Sequence, residues 1–410
     1  MKPASDMGAE QRDLREDAPR AARMALIVAA VGLAVGIVFG VIDGWEVFFR
    51  SYLLNFAFVL SLALGALFFV LLQHLTRAGW SVSLRRLAEL VAGTLPWLAV
   101  LFVPLLVPVF AGMSGVYEWA DPQAVAHDES GLLRHKQPYL NPAFFIIRCA
   151  VVFGAWALLA RYYLKTSLAQ DASGDPELTL RMQWWSAPAM LVFGVTVTVF
   201  AIDALMSLNP HWYSTIFGVY FFAGCAVGFF ALLAVLVYGV QRAGRLTKSI
   251  TVEHYHDIGK LAFGFVVFWA YIAFSQYLLI WYANIPEETV WYLPRQGDAW
   301  WIGVSLVLLL GHFLAPFVAL LSRWPKRRRG TLAAAGAWLL LMHWLDLYYL
   351  VIPRAHATGH HAAPLHVSDV ALLAGLGGLF AWLLLRFMAR VSLLPQRDPR
   401  LEEALSFHNV

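Results

Sequence analysis

Residues 51–75 read SYLLNFAFVLSLALGALFFVLLQHL, a run that contains no Asp, Glu, Lys or Arg. At the α-helical rise of about 1.5 Å per residue it reaches about 37 Å, more than the roughly 30 Å of a bilayer's hydrocarbon core. The run is too long and too continuously apolar for the alternating strand of an outer-membrane barrel, and in lipid only an internally hydrogen-bonded helix satisfies its backbone. Nine further runs qualify: Ala22–Ile42, Leu87–Phe110, Phe144–Leu164, Ser186–Leu208, Tyr213–Tyr238, Ile258–Asn284, Trp301–Leu321, Thr331–Ile352 and Val367–Met388. The sequence therefore predicts an all-α polytopic membrane protein with ten transmembrane helices.

Composition agrees. Hydrophobic residues make up 60% of the 410 and charged residues 14%, against about 45–50% and about 25% in ordinary soluble proteins. The two cysteines, Cys149 and Cys225, each lie inside an apolar run. They offer no ligand set for an iron–sulfur cluster, no CxxCH haem attachment and no disulfide framework. A formal charge of +4 gives no sign of a nucleic-acid partner. In a membrane protein the informative quantity is the side on which the cations lie.

An even number of spans puts both ends of the chain on one side. Twenty-four of the 30 lysines and arginines fall on that side; Arg50, Arg134, Lys136, Arg148, Arg295 and Arg354 fall on the other. The positive-inside rule then makes both termini cytoplasmic. The expected organisation is an N-terminal tail at 1–21, a membrane domain at 22–389 and a C-terminal tail at 390–410. The first 20 residues mix acids and bases without an apolar core, so the first span is expected to act as its own insertion signal rather than as a cleavable leader. The one long loop, Ala111–Pro142, faces outward.

Two outward segments are dense in aromatic and polar residues. Residues 206–224 read MSLNPHWYSTIFGVYFFAG, in which Asn209-Pro210 stops the fifth span and Ser214 and Thr215 open the sixth. Residues 282–292, YANIPEETVWY, close the seventh. Each aromatic alone fits an interfacial belt of Trp and Tyr. Together, in this order and on this side, the two strings resemble the NrfD-like superfamily, the membrane subunits of polysulfide reductase and its relatives, and within it the shorter (ActF) type of subunit in bacterial alternative complex III. The resemblance runs from the first span to the tenth.

It implies two parallel-related four-helix bundles, spans two to five and six to nine, flanked by spans one and ten. It also implies a place in a quinol-oxidising respiratory complex of the bacterial inner membrane, with menaquinol or another quinol as the substrate. The expected partners are a second NrfD-like subunit of the longer (ActC) type, periplasmic iron–sulfur and multihaem cytochrome c subunits, and a terminal cytochrome oxidase. The cofactors, haem c and iron–sulfur clusters, are expected on those partners and none on this chain. In the family, quinol oxidation is associated with the longer paralogue.

Ionisable residues inside a span cost at least about 2.5–3.5 kcal/mol each on insertion scales, so each needs a partner or a task. In the seventh span Asp257, Lys260, Tyr271, Ser275 and Tyr282 fall near one helical face, a polar stripe about 37 Å long. Its lower end, Glu253-His254-Tyr255-His256-Asp257, reads either as a solvated helix cap with Asp257 and Lys260 paired, or as a proton entry. Asp203 lies about 9 Å inside the outer end of the fifth span, and Arg148 lies at similar depth in the fourth. The two are expected to pair or to share a polar cavity, and Asp203 is also a candidate for the upper end of a proton path.

Helices eight and nine add His312, His343 and Asp346. Two histidines on neighbouring helices are the ligand type of a b haem, but depths of about 21 Å and about 13 Å leave a mismatch of roughly 8 Å. A second polar relay or satisfied buried histidines are the alternatives. The loop RAHATGHH at 354–361, with His366 beyond it, lacks the acid or thiol that would favour a metal and reads as a docking surface. Glu89, four residues after Arg85, reads as an interfacial helix pair.

Three functions compete. The first is a non-redox subunit that anchors periplasmic electron carriers and conducts protons from the cytoplasmic side. The second is a quinol-oxidising subunit whose pocket is lined by Asp203, His211 and the aromatics of the seventh span. The third is a proton-coupled transporter, which calls for helices broken near the midplane; spans four, seven and nine show no such Gly/Pro interruption at their centres.

Overall fold

The computed structural model describes residues 10–353 and 365–409. Ten helices among them are long and apolar enough to cross a membrane: α1 (Ala18–Asp43), α2 (Trp45–Leu75), α3 (Val82–Phe110), α4 (Pro142–Ser173), α5 (Glu177–Leu208), α6 (Phe217–Arg242), α7 (Val252–Ala283), α8 (Ala299–Leu321), α9 (Arg329–Val351) and α10 (Val367–Met388). The chain is an all-α, multi-pass membrane protein. Each helix overlaps one of the predicted runs, and the differences are at the ends. The largest is at α4 and α5, which extend past their apolar segments until Gly174, at φ +72°, turns the chain. Hydropathy marks the part of a helix in lipid and is blind to the polar turns beyond it.

Two rings of four helices form the body. In the first, α2 packs on α3, α3 on α4, α4 on α5, and α5 returns to α2; in the second, α6 packs on α7, α7 on α8, α8 on α9, and α9 returns to α6. The rings meet where α2 lies against α6. There Gly65 lets two backbones touch: a Cβ at that position would lie 2.2 Å from the Cys225 carbonyl oxygen. Small residues serve this purpose in membranes, where packing rather than hydrophobicity draws helices together. The flanking helices α1 and α10 pair with each other by the same means, with Gly32 against the Gly375 backbone and Gly378 against that of Ala29.

The two ends of the described chain, near Gln11 and Asn409, lie on one face. Leu246 N–H bonds to the Gln11 carbonyl at 3.4 Å, Leu393 N–H to the Arg12 carbonyl at 2.7 Å, and Asn409 donates to Glu253. The tails thus clamp the terminal face rather than forming separate units. On the opposite face, the loop face, two arginines complete α9. Its last carbonyls have no helical donor left; Arg295 donates to those of Tyr349 and Leu350 at 3.0 and 3.1 Å, and Arg50 to those of Val351 and Ile352 at 3.3 and 3.1 Å. Two cations at a helix C-terminus also complement its dipole.

Candidate functional site

Asp203 sits on a π-helical segment, Ala201–Leu205, near the loop-face end of α5. A π segment frees carbonyls from the helical ladder, and here neighbours take them up: Ser207 Oγ–H donates to the Asp203 carbonyl and Tyr117 O–H to that of Ala204. The side chain of Asp203 accepts from Arg148 Nε at 2.6 Å, as the matched depths predicted. Arg148 also donates to the Tyr139 carbonyl at 2.8 Å and lies 3.9 Å from the Tyr139 ring centroid. The acid is charge-compensated through one carboxylate oxygen, and its backbone carbonyl is held by Ser207.

Asp346 occupies the equivalent place in the second ring: Asp203 lies five residues before the end of α5, and Asp346 five before the end of α9. Its surroundings differ in kind. Tyr220 O–H donates to one carboxylate oxygen, and Trp269 Nε1–H to the other at 3.1 Å. No cation joins them among the described residues' ion pairs. One turn below, His343 Nε2 meets Ser61 Oγ at 2.7 Å, and the His343 ring lies over Gly224 and Gly228, where a Cβ would come within 2.9 and 2.7 Å of it. The His312 ring packs against Trp269, tilted by 36° with centroids 3.9 Å apart, and lies 6.5 Å from the His343 ring.

The depth count therefore misjudged the two histidines. Helical side chains lean toward their own N-terminus; on the antiparallel α8 and α9 the two rings lean toward each other and close the gap. His312 also belongs to a π segment, Leu308–Leu314, upstream of Pro316, which has no N–H for the His312 carbonyl. The Gly311 carbonyl freed there accepts from Trp338 Nε1 at 2.7 Å. Helix eight is thus interrupted near its centre, a feature that the pattern of spans four, seven and nine does not foretell.

The stripe on α7 does share one face, and that face points outward. Asp257 is buried at the terminal face and paired to Lys260. Above it Tyr271 and Tyr282 are 65% and 82% exposed and Ser275 is half-buried. The structure therefore does not bring Tyr271, Ser275 and Tyr282 to the Asp346 centre. The inward face carries Ile258, Ala262, Val266, Trp269 and Gln276. Periodicity finds a face; what covers that face is a tertiary matter.

At the terminal end of α7, Glu253 holds a two-pronged bond to Arg327 at 2.7 and 2.5 Å, and the His254 ring accepts the Thr251 N–H at 3.1 Å as part of a capping box. His256 is half-buried beside them. The geometry is that of a cap. Glu89 goes further than the interfacial pair expected of it: it is fully buried, meets Arg85 at 3.4 Å and Arg86 at 3.0 Å, and through Arg86 reaches Asp171 at 2.8 Å.

The two aromatic strings meet on the loop face. Trp212 of the first stacks on Trp291 of the second, with centroids 4.2 Å apart and planes 14° apart, and the Arg295 guanidinium lies 3.4 Å from the Trp291 ring centroid. Both indoles are buried, so neither belongs to an interfacial belt. Burial pushes the Arg295 guanidinium down to about 10. His211, outside the spans, is instead raised by its bond to Glu118, 3.5 Å away.

Beneath this stack, between α7 and α8, lies a cavity of about 610 Å³. It takes the α7 aromatics Trp269, Tyr271, Phe274 and Tyr277, and its walls are completed by Tyr220, Trp291, Tyr292 and Tyr349. The pocket expected from Asp203, His211 and those aromatics is thus divided: Asp203 is in the first ring with Arg148, and His211 is with Glu118.

Sequence reasoning missed Tyr220, Trp269 and Ser61 as partners of Asp346 and His343. The usable signal was Gly224 and Gly228, four apart on α6, which mark a close approach. His366, beside the loop read as a docking surface, caps α10 and meets Asp43 at 3.1 Å, whereas Arg354, His356, His360 and His361 lie outside the described residues. No family model matches the chain, and no curated protein does.

Proposed function

We propose that the chain is a membrane subunit of a bacterial respiratory quinol-oxidising complex of the alternative complex III type, and that its Asp346 centre takes up and releases a proton during turnover. In this reading the termini are cytoplasmic, in line with the bias of lysine and arginine, and the loop face anchors periplasmic iron–sulfur and multihaem cytochrome c subunits. A second NrfD-like subunit lies alongside, and the electrons of the quinol pass through the partners' cofactors. The resemblance of the 206–224 and 282–292 strings supports the assembly.

One observation carries the proton role: Asp346 is held by neutral donors, Tyr220 and Trp269, with His343 and His312 close by, whereas Asp203 at the matching position is tied to Arg148. A buried intramembrane acid that no cation neutralises is, in this reading, the group suited to load and release a proton. From Asp257 to Trp269 the inward face of α7 spans about 18 Å by helical rise and carries Ile258, Gly259, Ala262 and Val266, so in this reading the proton crosses that stretch on water.

The test is the assembled complex in sealed vesicles, with proton release and electron transfer measured together. Asp346→Asn is expected to lower the protons moved per electron while electron transfer from quinol continues. An assembled Asp346→Asn complex with an unchanged ratio would refute the proposal.

A further inference from the structure

We infer that the terminal face binds an anionic phospholipid, its phosphate seated on Lys326 at the turn between α8 and α9. The inference rests on the fold and its membrane setting, and it stands apart from the proposed assembly and from Asp346.

Positive charge is concentrated at this turn. Residues 323–329 read RWPKRRR, and the short helix Arg323–Arg327 packs on the first turns of α7. With Lys260 the two segments carry six cations; against them, residues 253–260 carry Glu253 and Asp257. Six less two leaves a surplus of four, equal to the formal charge of the whole chain. A surplus of cations beside a span is also an ordinary topology signal, so the count alone does not make a site. Three observations do.

The first is an unmatched cation. The other buried cations of the terminal face each meet carboxylates: Arg85 and Arg86 meet Glu89, Asp398 and Asp171, and Arg245 meets Asp17. Lys326, 7% exposed, meets none among the described residues. An ammonium has three donors, and the acceptor offered to this one is the Leu321 carbonyl at 3.5 Å, the limit of hydrogen-bond distance. Burial and then the neighbouring Lys260 lower its pKa, so an anion is the partner that these surroundings favour. Glu253 and Asp257 are bound to Arg327 and Lys260 and do not serve it.

The second is a place shaped for the side chain. Gly259 makes room for the Lys326 stem, since a Cβ there would lie 2.7 Å from Lys326 Cγ. The stem thus runs along α7, and the ammonium lies within electrostatic reach of Lys260 and His256. His256, one turn before Lys260 on the same face, has an Nδ1 with no hydrogen-bond partner, a further donor for an oxygen-rich ligand.

The third is an amphipathic rim. Val318 and Leu321 at the end of α8, and Trp324 just beyond, are exposed. The Arg328 guanidinium lies 3.6 Å from the Trp324 ring centroid, and Arg323 is exposed beside it. Apolar side chains bordered by Trp and guanidinium groups mark the headgroup level of a bilayer. A free phosphate or an acidic segment of another protein would use the cations alone. A phospholipid uses both parts, with its phosphate on Lys326 and an acyl chain along Val318 and Leu321. A choline headgroup would bring its own cation to an already positive turn, which selects a lipid of net negative charge.

The experiment measures binding of radiolabelled dioleoyl phosphatidylglycerol to the full chain in dodecyl maltoside micelles. Saturable binding is expected, displaced by unlabelled phosphatidylglycerol but not by phosphatidylcholine at the same mole fraction or by millimolar inorganic phosphate. Lys326→Met keeps the stem on Gly259 and should weaken binding about tenfold, the scale of one hydrogen bond to a charged group. Arg386→Gln, which removes an exposed cation from the end of α10, should leave it unchanged. If Lys326→Met does not fold, the double variant Arg323→Gln with Arg328→Gln, both exposed, should weaken binding at least about fivefold. Full binding in a folded Lys326→Met chain, or in that double variant, would overturn the inference. Equal displacement by phosphatidylcholine would do the same, as would displacement by inorganic phosphate, which would mean a free-anion site. An equal loss in Arg386→Gln would reduce the effect to the general charge of the face and would also overturn it.

Discussion

Removing either member of the Arg148–Asp203 pair should destabilise the fold far more than removing both. The pair is buried, with side chains 9% and 2% exposed, and its contact is 2.6 Å, so solvent screening gives little relief. Breaking a buried pair costs about 3–5 kcal/mol, because the survivor is left as an uncompensated charge. The two single variants should not be equal. In Asp203→Asn the guanidinium keeps the Tyr139 carbonyl at 2.8 Å and its place over the Tyr139 and Phe144 rings, 3.9 and 4.4 Å away, which argues for the lower end, about 3 kcal/mol. In Arg148→Met the carboxylate keeps no such company, which argues for the upper end. The double variant carries no buried charge and should lose only the bond to Tyr139, about 1 kcal/mol. With about 3 and about 5 kcal/mol for the single variants and about 1 for the double, the cycle gives a coupling energy of about 7 kcal/mol. Equilibrium unfolding in mixed micelles, followed by tryptophan fluorescence, measures all four chains. Additivity to within about 0.5 kcal/mol would show that the two charges do not sense each other and would refute the reasoning.

Three further outcomes follow from the same geometry. His211 is raised by its bond to Glu118, so the pair's contribution is fully present below about pH 6.5, the value of a free imidazole, and is lost as pH rises through the raised value; the pH midpoint of diethylpyrocarbonate modification at His211 should fall in Glu118→Gln, and an unmoved midpoint would count against the pairing. Gly65→Ala would set a methyl 2.2 Å from the Cys225 carbonyl oxygen and force α2 and α6 apart, with a loss of about 1–3 kcal/mol in micelle unfolding; unchanged stability would mean that the helices are not so close. Arg295→Met should uncap α9 and loosen the loop face, seen as faster amide exchange at residues 346–352, with no change at the terminal face.

The spans were legible because hydropathy over some twenty residues depends on a local property, the absence of charge, which residues 51–75 show in its simplest form. The Arg148–Asp203 pair was legible for the same reason, since two opposite charges at one depth in adjacent helices have few alternatives to each other. What failed was everything that depends on direction. The α7 stripe of Asp257, Tyr271 and Tyr282 was a true face, but sequence does not say whether a face meets protein or lipid, and Trp269 and Gln276 on the other side turned out to line the interior. Helical rise gives the separation of His312 and His343 along the helix axes only, while the rings depart from those axes in opposite senses and through a π segment. The aromatic strings at 206–224 and 282–292 were recognised as patterns; that Trp212 and Trp291 would stack on each other required the fold.

The two rings have the same helical order and direction, and each places an aspartate five residues before the loop-face end of its last helix. Equal position with unequal company is informative. If the acids served only to pack the bundle, the same solution would serve twice, and a cation on α8 opposite Asp346 would be as suitable as Arg148 is opposite Asp203. Instead the acid is held by Tyr220 of α6 and Trp269 of α7. Without a cation the ionised form of Asp346 stays uncompensated in low dielectric, so no partner fixes its charge. Placing the cation where it is missing therefore tests the argument. His312→Lys sets an ammonium against Trp269, the indole that donates to Asp346, and should favour the ionised carboxylate and abolish the proposed proton coupling in the assembled complex. Retained coupling in a folded His312→Lys complex would show that the difference between the two rings has no bearing on protons.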